Sequence, residues 1–551
     1  MINFSYEDAC ALMGKDVPVD EFLRRVPLIG SDVGDNVPGR DEMSVEFFPN
    51  RPDMYSVEGI ARGMRAFLGI EPGLRRYETG DSGVRAVIAD DVRGICPYFM
   101  CAVVRDVRMT DAVIRSMIEM QEKLHVTVGR KRAKLAIGIH DLDRVTPPFT
   151  FRAVDPEGIR FVPLAMDEPL SPREVLERSP KGREHAHLVD GMGRFPVIVD
   201  AEGEVLSFPP ITNGALTAVT ADTRNLFIDV TGSDAKAVEG VVNIVATSLA
   251  ERGGRICRVE MEGAPKSSYP NLEPTERRVS LGACGRFIGR KLTPDKAIEC
   301  LGRMGMDGEI EGDAMTVLIP AYRLDIMHDV DVYEDVAIGY GFENYGGGLH
   351  PVVQTCGSLL PETSFSESLR DVMVGLGYTE LSTLTLSNRR DEFGISGLPE
   401  VDSVSVMNPI TEEHASLRSH LMPSLMGILV RNKRRDLPQR VFEVGFVIRD
   451  GKAVLHLCAL QAASKSSFTE AKSLTESVLR EMGVDHSLEP CGYATFVPGR
   501  GAFVVSGGER IGIFGEMSPK TITSYGMTHP AIMLEIDLSG IIAGRSGKLV
   551  R

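Results

Sequence analysis

The strongest chemical signal lies between Tyr322 and Phe342, in YRLDIMHDVDVYEDVAIGYGF. Asp331, Glu334 and Asp335 stand at i, i+3 and i+4, which puts three carboxylates on one face of a helix. Asp325 precedes the helix and can fold back toward that face. Three or four hard oxygen donors, without His or Cys, suit Mg²⁺, which takes few protein ligands and keeps waters. The same spacing also reads as a solvated acidic helix face whose early carboxylates complement the helix dipole. His328 and Asp329 read as exposed residues of the helix start.

The elements that must carry this patch form an α+β, multidomain chain. With 551 residues, three or four cores are expected. Residues 1–85 include VEFFPNRPDMYSVEGIARGMRAFLGI, a short strand broken by Pro49 and Pro52, then a helix capped by Ser56 with Ile60, Met64, Phe67 and Leu68 on one face. Gly80, Asp81, Ser82 and Gly83 mark a boundary. Residues 86–265 read as strands near 102–107 and 135–139, a helix near 111–124, the hairpin FPVIVDAEGEVLSF, the buried strand NLFIDVTG and a helix from Lys236. Pro265, Ser267, Ser268 and Pro270 read as a linker. Residues 270–347 hold a helix from Pro294, a hairpin ending in MTVLIP and the acidic helix, closed by Gly346, Gly347 and Gly348. Residues 350–551 suit an antiparallel sheet with flanking helices.

Bulk properties narrow the function. The net charge of −16 argues against a chain that grips nucleic acid alone, so a partner is expected to supply much of the positive field. Nine scattered cysteines, none in a CxxC pair, fit reduced thiols in the cytoplasm and no zinc site. No apolar run is long enough for a membrane helix, and the N-terminus lacks a secretory pattern.

Several motifs, in this order along nearly the whole chain, resemble the phenylalanyl-tRNA synthetase beta subunit family of the shorter archaeal/eukaryotic-like type. VEFFPNRPDMYSVEGIAR is similar to its B1 signature. LAIGIHDLD, PKGREHAHLV, LSFPPITN and NLFIDVTG resemble its B3/B4 editing module. PAYRLDIMHDVDVYEDVAIGYGF resembles its winged-helix-like B5 domain, and VFEVGFVI sits where its class II synthetase-like module begins the main hairpin. In that family, acidic residues at the positions of Asp325, Asp331, Glu334 and Asp335 hold Mg²⁺ near the alpha subunit. Asp335 departs from the usual Glu. The resemblance further implies an α₂β₂ assembly that charges tRNA(Phe), with ATP and phenylalanine bound through the alpha subunit, and hydrolysis of mischarged Tyr-tRNA(Phe) by the B3/B4 module.

For that editing site the candidates are Asn213, Asp229 and Thr231, with His140 behind them. Asp229 and Thr231 alternate on one strand and so share a side, where a carboxylate and a hydroxyl could bind a tyrosine phenol or ammonium. Equally, Asp229 could bond a loop, Thr231 could cap the strand and His140 could be a satisfied buried histidine. No Ser–His–Asp or Cys–His arrangement stands out, which favours a positioned water over a covalent intermediate. Gly214 and Ala215 stand where the family continues Ser-Glu, which puts editing strength in doubt. The basic runs Arg130 to Lys134 and Arg431 to Arg435 are the RNA candidates, each also readable as a solvated face.

Adenylation is not expected from this chain. Class II chemistry needs Arg-x-Glu and Gly-x-Gly-x-x-Arg cations on the triphosphate. Arg440-Val-Phe-Glu443 has the wrong spacing, and Gly507-Gly508-Glu509-Arg510 reads as a hairpin turn. A free-standing tRNA-editing hydrolase and a non-catalytic nucleic-acid-binding scaffold remain the alternatives.

Overall fold

The computed structural model describes residues 1–34, 41–346 and 356–546, the last three by backbone only. The chain divides into two compact units, 1–349 and 350–551. The first three expected domains share the first unit. The expected junction at 347–350, with Gly347 and Gly348, lies outside the described residues.

The first unit opens with a three-stranded sheet of Ile2–Ser5, Glu42–Phe47 and Ser31–Val33. Ser56 caps the helix Val57–Phe67 by accepting from the Gly59 amide, and that helix buries Ile60, Ala61, Met64 and Phe67.

A ten-stranded sheet follows. Its first strand, Gly80–Ile88, corrects the boundary expected at 80–85. Ser82, Val84, Ala86 and Ile88 point inward, and the strand runs parallel to both Arg255–Glu262 and Phe149–Val154. Gly and Asp at its start hid this period-two pattern. The expected linker is also partly strand, since Ser268–Tyr269 pairs with Val259 and Glu260. Leu226–Gly232 lies between Tyr98–Arg105 and Leu135–Asp141, antiparallel to both. These three strands are nearly all buried. The helix Ala235–Glu251 packs on the first two. The helix Asp111–Val126 packs against Leu135–Asp141.

Beyond it, Thr275–Ser280, Ala314–Ile319 and Asp307–Glu311 form a small antiparallel sheet. The acidic helix Asp329–Tyr340 packs on the helix Pro294–Arg303. Gly339 makes that approach possible, because a Cβ there would stand 2.2 Å from the Cys300 carbonyl oxygen. Arg303 closes the joint by donating to the Gly339 carbonyl at 2.8 Å. Ion pairs join the sequence-distant parts of the unit. Arg252 pairs with Asp8 and Glu58, each at 2.6 Å, and Arg65 pairs with Glu251 at 2.9 Å.

The second unit is a seven-stranded sheet whose longest hairpin is Gln439–Arg449 with Lys452–Ala462. Pro361–Gly375 and Phe468–Glu481 contribute to one of its cores, and Met422–Arg431 to the other. Gly507 and Gly508 have φ of 60° and 88° and turn the hairpin between Phe496–Ser506 and Glu509–Met517. That segment is a turn, not a phosphate loop.

Gly339→Ala is expected to destabilise the first unit by about 1–3 kcal/mol through overpacking against the Cys300 backbone. Urea unfolding should show this as a lower midpoint with an unchanged slope.

Candidate functional site

Asp229 sits at the middle of the central strand, opposite Gly138 on one side and Cys101 on the other. Gly138 is what admits the carboxylate. A Cβ at that position would lie 2.0 Å from Asp229 Oδ2 and 2.6 Å from His140 Nε2. His140 lies diagonally across the strand pair, and its Nε2 is 2.6 Å from Asp229 Oδ2. Its Nδ1 is 2.7 Å from the Thr217 hydroxyl. His140 is fully buried, and Asp229 and Thr217 are each 1% exposed. His140 thus bridges the Thr217 hydroxyl and one oxygen of the Asp229 carboxylate.

A hydroxyl–imidazole–carboxylate chain is therefore present, built on Thr217 rather than on a serine or cysteine. Thr217 was missed because it joins His140 only through the fold, from a turn four residues past Asn213. Its hydroxyl lies within 3.2 Å of the Gly214 carbonyl as well. Enclosed between the imidazole and that carbonyl, it fixes His140 rather than presenting a nucleophile. The nearby thiols are equally inert: burial pushes Cys96 up to about 12 and Cys101 well above its ordinary value.

Above Asp229 opens a cavity of about 270 Å³. Its walls include Ile114, Met117 and Ile118 from the long helix, Ile137 and Ile139 from the strand, and Pro209. Asn213 and Thr217 line it too. Asp229 Oδ2 is taken by His140, and among the described residues no hydrogen bond reaches Oδ1. Gln121, Glu122, Arg132 and Lys181 complete the lining, and a largely apolar slot with a carboxylate at its floor can hold a ring that carries a hydrogen-bond donor. Gly214 has a structural reason, since a Cβ there would stand 2.4 Å from the Val205 carbonyl oxygen.

Thr231 shares the strand face with Asp229 but lines a second cavity, also of about 270 Å³. Arg132, Ala136, Pro209 and Pro210 border both cavities. Arg132 belongs to an unusual turn. Arg130, Lys131 and Arg132 all lie in the left-handed region, with φ of 48°, 55° and 68°. Each costs roughly 1–2 kcal/mol relative to right-handed backbone. The turn is held by amide bonds from Arg130 to Thr127, Arg132 to His125 and Lys134 to Gly129. The Arg132 guanidinium also donates to the carbonyls of Pro210 and Ile211, 3.2 Å each, and pairs with Glu122 at 2.7 Å.

The acidic patch folds differently from its expected form. Arg323, fully enclosed, donates to Asp325 at 2.8 and 2.7 Å and to Asp335 at 2.7 Å. Asp331 accepts from the amides of Met327 and His328 at 2.7 and 2.6 Å, capping the helix. Glu334 is exposed. Burial raises Asp335 to about 6, against the pull of Arg323. Among the described residues no three His, Cys, Asp or Glu side chains are grouped to hold a metal ion. The donor set does not fit Mg²⁺ as folded, because a guanidinium already occupies the place of the cation and Asp331 is engaged by the backbone. Sequence spacing could not show this, since Arg323 lies outside the helical face it neutralises.

In the second unit Arg440 and Arg510, and with them the buried Arg418, are engaged within the chain. Arg418, 3% exposed, pairs with Glu443 at 2.8 Å and donates to Thr383 at 2.7 Å and to the Phe446 carbonyl at 2.8 Å. Arg440 donates to Gln461 and Arg510 to Glu489. Burial favours the neutral form of Glu535, but hydrogen bonds from His420 and His456 hold it well below the usual carboxylate range. Among the described residues no helix is long and apolar enough to cross a membrane.

Comparison with known proteins covers the whole chain. A family profile for the phenylalanyl tRNA synthetase beta chain CLM domain matches residues 349–538, one for the tRNA synthetase B5 domain 277–342, and one for the B3/4 domain 95–248. The phenylalanine–tRNA ligase beta subunit of Methanothrix thermoacetophila is 43% identical over 541 residues, 98% of this chain and 99% of that one. The beta subunit of Archaeoglobus fulgidus is 41% identical over 98% of each chain. Among solved structures, an N-terminal fragment of the phenylalanyl-tRNA synthetase beta subunit from Pyrococcus horikoshii has a TM-score of 0.59 and 36% identity, covering 62% of this chain and 99% of the fragment.

Arg323→Met leaves Asp325 and Asp335 as buried, facing like charges and is expected to cost about 3–5 kcal/mol. Glu334→Gln should stay within about 0.5 kcal/mol of the parent. The unfolding midpoint should be the same in EDTA and in millimolar Mg²⁺. A midpoint raised by Mg²⁺ would restore the four-carboxylate metal site.

Proposed function

Because this chain belongs to the phenylalanine–tRNA ligase beta subunit family, and is thus one polypeptide of a heteromeric aminoacyl-tRNA synthetase serving protein biosynthesis, we propose that its first unit hydrolyses mischarged Tyr-tRNA(Phe) in the cavity above Asp229. Its second unit supports charging of tRNA(Phe) by a partner alpha subunit, in an α₂β₂ assembly. ATP, its Mg²⁺ and phenylalanine belong to that partner. The assembly works in the cytoplasm.

The observation that carries the editing reading is the half-satisfied carboxylate at the floor of an apolar cavity. An apolar pocket rejects an added hydroxyl by only ~100-fold, so a site selecting phenylalanine admits some tyrosine. A site built around a hydrogen-bond acceptor discriminates the other way. A phenol O–H reaching Asp229 Oδ1 completes the carboxylate, whereas a phenyl ring leaves a buried charge short of a partner. His140 keeps the carboxylate aimed, and Thr217 keeps His140 aimed. With Thr217 enclosed and the nearby thiols kept neutral by burial, the ester is cleaved by a water. Asn213, part-exposed on the cavity wall and bonded to Ser207 at 3.2 Å, offers an amide for orienting it.

The non-adenylating reading is supported by Arg418, Arg440 and Arg510, each already held by an internal partner. The docking reading is supported by exposed apolar side chains in the second unit. Met407 and Ile410 are 88% and 100% exposed, and Leu384 and Leu386 are exposed as well. Surfaces of this kind are normally covered by a partner.

In the assembled enzyme, Asp229→Ala should slow Tyr-tRNA(Phe) deacylation by roughly 100-fold while phenylalanine charging stays near the parent rate. Unchanged deacylation would remove the cavity from the editing function. The pure chain should give no ATP–pyrophosphate exchange with phenylalanine. Exchange above background would return adenylation to this chain.

A further inference from the structure

Two cavities of equal volume, about 270 Å³ each, adjoin across Arg132, Ala136, Pro209 and Pro210. Both linings include Arg132 and one lysine among apolar side chains, but they differ in their acids. The first has Asp229 at its floor and Glu122 beside Lys181. The second has Arg132, Lys134 and His187 in its lining and no carboxylate. Its remaining surface mixes apolar faces, Ile95, Met192 and Pro196 among them, with the small polar groups of Cys96, Thr231 and Ser233.

An aminoacyl ester is likewise two bodies of different kind joined at one bond. One body is an amino acid side chain. The other is a ribose and base followed by a phosphate. If the first cavity takes the tyrosine, the ester must lie near the shared wall and the nucleoside must go beyond it. The second cavity is where such a group can go: no carboxylate lines it, its Lys134 and Arg132 are held by Asp234 and Glu122, and its apolar faces can receive a base.

The Arg130–Arg132 turn supports the same assignment. A helix commonly ends on one left-handed residue, usually glycine. Here three consecutive non-glycine residues take that conformation just past Asp111–Val126. The consequence is a division of labour among neighbouring cations. Arg132 turns inward and anchors the Pro210–Ile211 wall. Arg130 and Lys131 stay exposed and form no ion pair among the described residues. Strained backbone of this kind concentrates where function needs it.

We propose that the second cavity seats the 3′-terminal nucleoside of the aminoacylated RNA, and that the left-handed turn presents Arg130 and Lys131 to the phosphates leading into it. This assignment rests on the editing reading of the first cavity. It makes Thr231, Ser233 and Lys134 contacts to the nucleoside rather than to the amino acid.

The test uses the assembled enzyme and tRNA(Phe) ending in 8-azidoadenosine, carrying tyrosine through a non-hydrolysable 3′-amide. Irradiation should label, within this chain, a peptide containing Cys96 or Met192. Labels confined to other segments of this chain would overturn the assignment. A kinetic arm uses Ser233→Trp, which fills the cavity from an exposed position. It should raise KM for Tyr-tRNA(Phe) deacylation about tenfold with kcat within about twofold, as expected when binding is lost but chemistry is kept. The pair Arg130→Glu with Lys131→Glu should reduce the salt dependence of log KM by about 1.4, the slope for two phosphate contacts on a single strand. Parent-like KM and salt slope in both variants would overturn the proposal. If the parent enzyme fails to deacylate Tyr-tRNA(Phe), the editing reading fails by itself, and the site of photolabelling still decides where the nucleoside sits.

Discussion

A carboxylate taken out of water must find a cation or several donors, and Arg323 supplies both for the first unit. It bonds Asp325 and Asp335 while enclosed beside Arg51, Asp53 and Arg62. Three guanidiniums and three carboxylates form a charge-balanced layer. Arg51 holds Asp53 through two bonds of 2.9 Å, and Arg62 lies 3.7 Å over the Tyr322 ring while donating to Thr247. The layer thereby joins the N-terminal segment, the helix Ala235–Glu251 and the acidic helix. Removing Arg51 or Arg323 leaves buried carboxylates without their ion-pair partner, so these segments depend on one another for their folded form.

The same constraint explains what other buried carboxylates can do. Glu443 is held by Arg418 and by Thr383, and Glu535 by two histidines and the amides of Leu421 and Met422. Both carboxylates are fully partnered, and so is the Arg418 that faces Glu443. Nothing in that set is left to meet a triphosphate. Asp229 differs because only one of its oxygens is occupied and the other side opens on a cavity. A buried acid with one free acceptor has a strong preference for a ligand that donates. The contrast among Asp335, Glu443 and Asp229 is therefore one of partners, not of residue type.

Local patterns were legible where a single segment sufficed. Ser56 and its helix, the NLFIDVTG strand and the turn at Gly507–Gly508 each follow from neighbouring residues, and each forms as read. Asp229 and Thr231 do share a strand face, yet the wall of Pro209 and Pro210 sends them into separate cavities. That wall comes from another part of the chain, so alternation alone could not place it. Arg323 and Thr217 were overlooked for the same reason. Their partners, Asp335 and His140, are 12 and 77 residues away. Gly80–Gly83 misled in the opposite direction, since turn-forming residue types open a strand when sheet pairing outweighs local preference.

Glycines complete the account of the cavity, because they set what the backbone can admit. Gly138 leaves the volume in which Asp229 meets His140, and any side chain there would expel one of them. Gly214 packs on the Val205 carbonyl, so no side chain can be placed at 214 without moving that strand. In the proposed editing reading, recognition at the wall falls to Asn213, bonded to Ser207, and the discriminating group is the buried one. A site organised this way gains selectivity from the cost of leaving Asp229 unmet rather than from a larger set of contacts at its mouth. Its preference for a hydroxylated ring should accordingly survive changes at exposed positions and vanish with the Asp229–His140 pair.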